Sequence, residues 1–203
     1  MGKHLVLVGG GHAHMTVMAK LGDYIHKGHR VTLINPSPYH YYSGMGPGAL
    51  SRTYRPQDIR FHVGKMVQDR GAHFIQDKVV RVDGEGCTLH LASEALVNYD
   101  VVSFNSGSGI ALGRGEDDDR IIPVKPIINL LKGQKRILQE SARHPLKLLV
   151  LGGGPAGVEI AGNLWALREN IGKKGDITLV AGSRLLKNMP SRVRELAYAI
   201  LRR

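Results

Sequence analysis

Twice in this chain a short run of apolar, β-favouring residues leads straight into three consecutive glycines and then into a stretch with helical spacing. The first copy is His4 to Val8, then Gly9-Gly10-Gly11, then Ala13, Val17, Met18 and Leu21. The second is Leu146 to Leu151, then Gly152-Gly153-Gly154-Pro155-Ala156-Gly157, then Val158, Ala161, Leu164 and Trp165. Each copy is followed by another strand-like run, Arg30 to Ile34 and Ile177 to Val180. Strand, tight turn, helix and strand make a βαβ unit, and the crossover helix forces the two strands to lie parallel. Gly9 and Gly152 stand 143 positions apart, which is too far for a solenoid period. The pattern predicts two α/β folds in series, meeting near residue 145.

Between the copies the sequence is less regular. Residues 39–60 hold Tyr39, His40, Tyr41 and Tyr42 followed by Ser43-Gly44-Met45-Gly46-Pro47-Gly48, a stretch long enough to suggest a binding loop. Strand-like runs around Asp83-Gly84-Glu85-Gly86 predict a β-hairpin insertion over about 74–102. Gly113 to Arg120 reads as a charged loop and Ile127 to Arg136 as a helix. The single Cys87 excludes an internal disulfide, a CxxC redox pair and a cysteine-built metal site, so any redox chemistry belongs to a cofactor. The histidines show no metal-ligand spacing, and the expected metal content is none. A net charge of +11 favours anionic partners, which by itself admits dinucleotides, acidic membrane surfaces and nucleic acid. No recognised nucleic-acid motif is present, and the glycine turns account for the anion preference more economically. The apolar runs are too short to span a membrane and the N-terminus reads as structure, so the expected location is cytoplasmic. An amphipathic basic stretch, Val193, Leu196, Ala197, Ile200 and Leu201 with Arg192, Arg194, Arg202 and Arg203, leaves peripheral contact with the inner membrane face open.

In a dinucleotide fold the first glycine permits the tight turn, the second clears the path of the pyrophosphate, and the third lets helix pack on strand. Gly152, Gly154 and Gly157 satisfy all three roles. Gly9 and Gly11 satisfy two, with His14 in the third place. An acid at the end of the second strand normally binds the ribose hydroxyls. Asn35 stands there in the first copy. Ala181 stands there in the second, with Arg184 three residues on, so NADPH is as admissible as NADH.

Taken together, the chain resembles the two-dinucleotide-domain flavoproteins of the pyridine nucleotide-disulfide oxidoreductase superfamily, and within it type II NADH dehydrogenases and sulfide:quinone oxidoreductases. The residues that carry the resemblance are His4 to His14, Tyr42-Ser43-Gly44-Met45, Phe104-Asn105-Ser106-Gly107-Ser108, Pro123-Val124-Lys125-Pro126 and Gly152 to Ala161. It implies two Rossmann-like domains, 1–145 binding FAD and 146–203 binding NAD(P)H. Gly9, Gly11, His12 and Ala13 would then meet the FAD pyrophosphate, and Asn35 with Pro36 the adenosine side. Ser43, Gly44 and Met45 would lie along the ribityl and flavin, Val79 would offer backbone to the adenine, and Asn105, Ser106 and Gly107 would make a second backbone approach. Gly152, Gly154, Ala156, Gly157 and Arg184 would hold the second nucleotide. Lys125 is open to two readings, a group beside the isoalloxazine or a solvated loop lysine. So is Glu159, which is expected in the first turn of its helix, where an acid suits the macrodipole; the resemblance puts it near the nicotinamide.

The implied activity is hydride transfer from NAD(P)H to FAD and onward to a quinone or other small acceptor. A homodimer is compatible with the family, as is a dinucleotide-binding remnant without catalysis. The lone Cys87 does not support the cysteine chemistry of the disulfide-reducing and sulfide-oxidising branches. Family members continue past the second glycine turn, so the second domain is expected to be incomplete, as in a C-terminally truncated chain.

Overall fold

The computed structural model describes residues 2–110 and 118–202. Positions 113–117 of the expected charged loop, and Arg203 of the basic stretch, lie outside the described residues. The chain forms two compact units, Met1–Tyr42 with Arg60–Gly109, and Ser43–Ile59 with Ile110–Arg203. Each glycine turn falls in a different unit. The second unit also takes in Ser43–Ile59 and resumes at Ile110, both ahead of the boundary expected near 145.

In the first unit, β1 (His4–Val8) leads into α1 (His12–Ala19), α2 (Leu21–His26) and β2 (Arg30–Ile34). With β3 (His40–Tyr41) and β4 (Arg60–Phe61) forming a small antiparallel pair, and α4 (Val63–Gln68) after the second-unit helix α3 (Gly46–Leu50), the chain reaches β5 (His73–Ile75). The antiparallel strands β6 (Val79–Asp83), β7 (Thr88–Leu91) and β8 (Leu96–Asn98) precede β9 (Val101–Phe104). The main sheet is parallel in the order β5-β2-β1-β9.

The apolar continuity of β1 is explained by burial on both faces. Leu7 packs with Leu33, Met18, Leu21, Val63 and Val67 on the helical side. Val6 and Val8 pack with Ile34, Leu89 and Leu91 on the other. The expected hairpin insertion is thus the second cover of the sheet, and its hairpin β6–β7 is extended by β8. Cys87 is exposed at its turn, where Asp83 Oδ1 accepts the Gly86 N–H at 2.9 Å.

In the second unit, α5 (Ile128–Ser141) runs past the predicted Arg136 end. It precedes β10 (Leu146–Leu151), α6 (Pro155–Asn170), β11 (Gly175–Val180) and α7 (Ser191–Leu201). β10 and β11 pair in parallel from Leu146 opposite Gly175 to Leu151 opposite Val180. Val150, Ile160, Ala161 and Leu164 form the core with Leu50 and Leu130, so part of the expected 39–60 loop is α3, buried at Ala49 and Leu50. On the opposite face of β10, Leu149 and Leu151 are 61% and 70% exposed. Among the described residues no helix is long and apolar enough to cross a membrane.

Two glycines of α6 behave oppositely. A Cβ on Gly157 would fall inside the Gly152 carbonyl oxygen, whereas one on Gly162 meets nothing within 4 Å. Gly157→Ala is expected to lower unfolding stability by about 1–3 kcal/mol through overpacking. Gly162→Ala should raise it by about 1 kcal/mol through helix propensity. Urea denaturation of the two variants against wild type reads both signs.

Candidate functional site: two glycine turns

The two turns share one backbone construction. Gly9 and Gly152 have φ values of +89° and +124°, which favour glycine, and each donates its N–H to the end of the next parallel strand, Gly9 to Ile34 O at 2.8 Å and Gly152 to Val180 O at 2.9 Å. Gly11 and Gly154 are the extended N-cap residues of α1 and α6, with ψ of 179° in both. Neither helix carries an acid in its first turn, so the partial positive charge of each N-terminus stands uncompensated. Glu159 is therefore corrected: it is the fifth residue of α6, beyond the first turn, and exposed.

The turns differ in what lies against them. In the first, a Cβ on Gly9 would overlap the Asn105 carbonyl, and one on Gly11 the Asn105 side-chain amide. In the orientation its neighbours impose, Asn105 Oδ1 accepts the Ala13 N–H at 2.7 Å and the His14 N–H at 3.3 Å. Asn105 thus caps α1 from the end of β9, and glycine at position 11 is required first by this contact. Asn35 supports the same turn. Its Oδ1 accepts the Gly10 N–H at 2.9 Å and its Nδ2 donates to Ser37 O at 2.5 Å.

His14 takes up the third-glycine position by a different device. Where Gly157 must lack a side chain because of the Gly152 carbonyl, His14 Nδ1 donates to the equivalent Gly9 carbonyl at 2.6 Å. A carbonyl only accepts, so the proton is on Nδ1, and Nε2 accepts from the Ser103 hydroxyl at 2.9 Å. The buried imidazole ties turn, helix and β9 together.

Beside this turn His12 stacks on Tyr42 with ring centroids 5.4 Å apart. His40 is held below the usual histidine range by burial first and by repulsion from His12 second. His62 lies 4.6 Å from Tyr39, whose ring also carries Arg60 at 4.2 Å.

The first turn therefore brings Gly9, Gly11, His12, Ala13, Asn35 and Asn105 together. Pro36, Ser106 and Gly107 are exposed in the adjoining loops, and Val79 packs partly buried at the start of β6. Ser43, Gly44 and Met45 form a 3-10 turn in the second unit, where half-buried Lys125 also lies, its carbonyl accepting from Asn129 Nδ2 at 3.4 Å.

The second turn is open. No side chain caps α6, and a Cβ on Gly154 meets nothing within 4 Å. A cleft of about 300 Å³ lies against Gly153, Gly154, Ala181, Arg184 and Lys187. Gly157, as above, packs the helix on the turn, and Ala156 is exposed at the helix start.

The sequence matches the pyridine nucleotide-disulphide oxidoreductase family over residues 3–203. The chain belongs to that family. It is 25% identical to oxidoreductase ptaL of Pestalotiopsis fici over 210 residues, covering 96% of this chain and 53% of that protein. The family fold is shared with NDH2 from Plasmodium falciparum, solved in complex with NADH, at TM-score 0.83 and 19% identity, over 100% of this chain and 46% of that one. It is shared too with the sulfide:quinone oxidoreductase of Aquifex aeolicus, at TM-score 0.75 and 18% identity, over 99% and 49% of the two chains. The chain thus spans about half the length of these relatives.

Sequence reasoning marked His14 only as a departure from the glycine pattern, and missed its bonds because one depends on the fold of the turn and the other reaches Ser103 on β9. Asn105 as a cap and Lys187 in the cleft were missed as well. Lys187 stands three positions past Arg184, a spacing that signals nothing until the loop between them is folded.

The first unit carries two tests. His14→Ala removes both buried bonds and leaves a void, lowering stability on the order of 2–3 kcal/mol in urea denaturation. Burial also lowers the pKa of His4. Near and somewhat below pH 6.5 the folded state binds fewer protons at His4 and His40 than the unfolded chain. Their contribution to stability is complete above about pH 6.5 and declines as pH falls through the folded values. Proton NMR titration should place the His40 midpoint below 6.5, and His12→Ala should raise it without restoring the ordinary value, because burial is the larger cause.

Proposed function

We propose that this chain carries two dinucleotide sites in series, FAD at the Gly9–Gly11 turn and NAD(P)H at the Gly152–Gly157 turn. In this reading 1–145 serves FAD and 146–203 serves NAD(P)H. The whole protein is then an NADH dehydrogenase-like oxidoreductase passing hydride from NAD(P)H to flavin and electrons to a small acceptor such as a quinone. The observation that carries the reading is the repeated turn itself. Two helix N-termini without first-turn acids, each entered through glycines, suit a pyrophosphate twice over.

The FAD site fits the first turn through the α1 N–H groups, with Gly9 and Gly11 keeping backbone close and His12 and Ala13 exposed above it. Asn105 Oδ1 holds the Ala13 N–H that a phosphate oxygen would use, so Asn105 yields that donor on binding. Pro36 and Val79 serve the adenosine side, Ser43, Gly44 and Met45 the flavin side, and Ser106 with Gly107 the second backbone approach. The two side chains of Asn35 and His14 are spent on holding the turn. Bound FAD supplies hydride acceptance and electron release, and the protein supplies orientation and electrostatics. Lys125 is assigned to the isoalloxazine and Glu159 to the nicotinamide end.

The NADH in the Plasmodium structure and the quinone in the Aquifex enzyme's name support the donor and acceptor classes. Exposed Val193, Leu196 and Ile200 beside Arg192 on α7 support peripheral membrane contact as a route to such an acceptor.

The experiment is an anaerobic titration of purified, FAD-reconstituted protein. Flavin absorbance retained through gel filtration is expected in wild type. Gly154→Val, placed in open space, should keep that absorbance and weaken NAD(P)H binding about tenfold or more, as when a charge-assisted phosphate bond is lost. Loss of flavin from Gly154→Val would interchange the two sites. Absence of flavin from wild type would overturn the reading. Gly11→Val is a poorer probe, because its side chain strikes Asn105 before any ligand.

A further inference from the structure

The N-termini of α1 and α6 differ by one side chain. At α6 no side chain caps the first turn among the described residues, and a Cβ on Gly154 meets nothing within 4 Å. At α1 the Asn105 amide lies directly over Gly11, whose Cβ would overlap it. Its Oδ1 accepts the Ala13 N–H at 2.7 Å and, more weakly, the His14 N–H at 3.3 Å. The His14 N–H also donates to Gly11 O at 3.1 Å, so it keeps a partner without Asn105. Among the described residues the Ala13 N–H has Asn105 as its only acceptor.

The main chain of Asn105 is fixed on both sides. Its N–H donates to Val8 O at 2.8 Å, and its carbonyl lies so close to Gly9 that a Cβ there would overlap it. Releasing the cap therefore takes rotation of the side chain between rotamers, with β9 staying on β1. Asn105 is half-buried and exposed Ser106 and Gly107 follow it, which gives the rotated amide a route to water. One N–H makes one strong hydrogen bond, so the Asn105 oxygen and a phosphate oxygen compete for Ala13. The amide oxygen is neutral, whereas a phosphate is charged and bonds a helix N-terminus about twice as strongly. The amide is strong enough to cap the helix and weak enough to be displaced.

We infer that Asn105 is an internal competitor of the flavin pyrophosphate, whose amide oxygen stabilises α1 in the flavin-free protein and lowers the affinity of the first turn for FAD. The inference rests on the FAD site proposed above and concerns how that site is regulated. Stability and affinity are then set against each other at one side chain. A residue that merely holds the turn together would move both in the same direction. The second turn, which has no such cap, is free of this competition.

The test compares wild type with Asn105→Ala and Asn105→Asp in the 203-residue protein, by thermal midpoint without flavin and by FAD titration followed through flavin fluorescence. Asn105→Ala is expected to lower the midpoint by roughly 2–4 °C, as for a lost cap, and to tighten FAD binding about fivefold. Its Ala13 N–H should also exchange with water faster than in flavin-free wild type, as read by NMR. Asn105→Asp, a stronger cap that also repels the pyrophosphate, should raise the midpoint by a similar amount and weaken FAD binding about tenfold or more. FAD binding by Asn105→Ala that equals wild type or falls below it overturns the inference and leaves the FAD site standing. If Asn105→Ala does not fold, Asn105→Asp decides: a midpoint at or below wild type, or undiminished FAD binding, overturns the inference. Wild type that binds no FAD overturns the inference and the site together.

Discussion

The first glycine carbonyl of each turn is the atom around which its unit is assembled. Gly152 O comes so close to α6 that position 157 must have no side chain, and this contact sets the helix on the parallel strands. Gly9 O is reached instead by the His14 imidazole, which admits a side chain at that position and converts a steric limit into a hydrogen bond. The first solution adds Ser103 and the strand β9 to the support of the turn. The second leaves its turn supported by backbone alone, and leaves Gly154 facing open space.

This difference sets how each turn would meet a ligand. At the first, donors of the helix N-terminus are already engaged by Asn105, and the backbone beneath is held by Asn35. An anion bound there would exchange one set of hydrogen bonds for another, which is the usual balance for a polar group leaving water or a protein partner. At the second, the turn lies against a cleft whose lining includes the cations Arg184 and Lys187. The overall charge of +11 is consistent with anionic ligands at both, but the local absence of first-turn acids and the two cations of the cleft are what give that charge a direction.

The same apolar strand pattern has two burial outcomes. β1 is covered on one face by helices and on the other by the β6–β8 sheet, so Val6, Leu7 and Val8 are all buried. β10 has α6 on one face and exposed Leu149 and Leu151 on the other. Periodicity reports that a strand is built for burial, and says nothing of what does the burying.

The family and the α/β organisation were legible in the sequence because both rest on local rules. Apolar runs of strand length, glycines where φ is positive and helical spacing afterwards need no distant partner to be recognised. The tight turn at Gly152 and the close helix packing at Gly157 were legible for the same reason. Tertiary structure alone decided that Asn105 caps a helix some ninety positions away, that His14 bonds Ser103 across the sheet, and that the inserted strands cover β1. It also decided that Glu159 falls outside the first helical turn, since helix starts shift by a residue or two with the cap. Arg184 and Lys187 line one cleft only because Leu186 is buried and bonded to Gly153. Local sequence fixes which bonds a residue can make, and the packing of distant segments fixes which of them it does make.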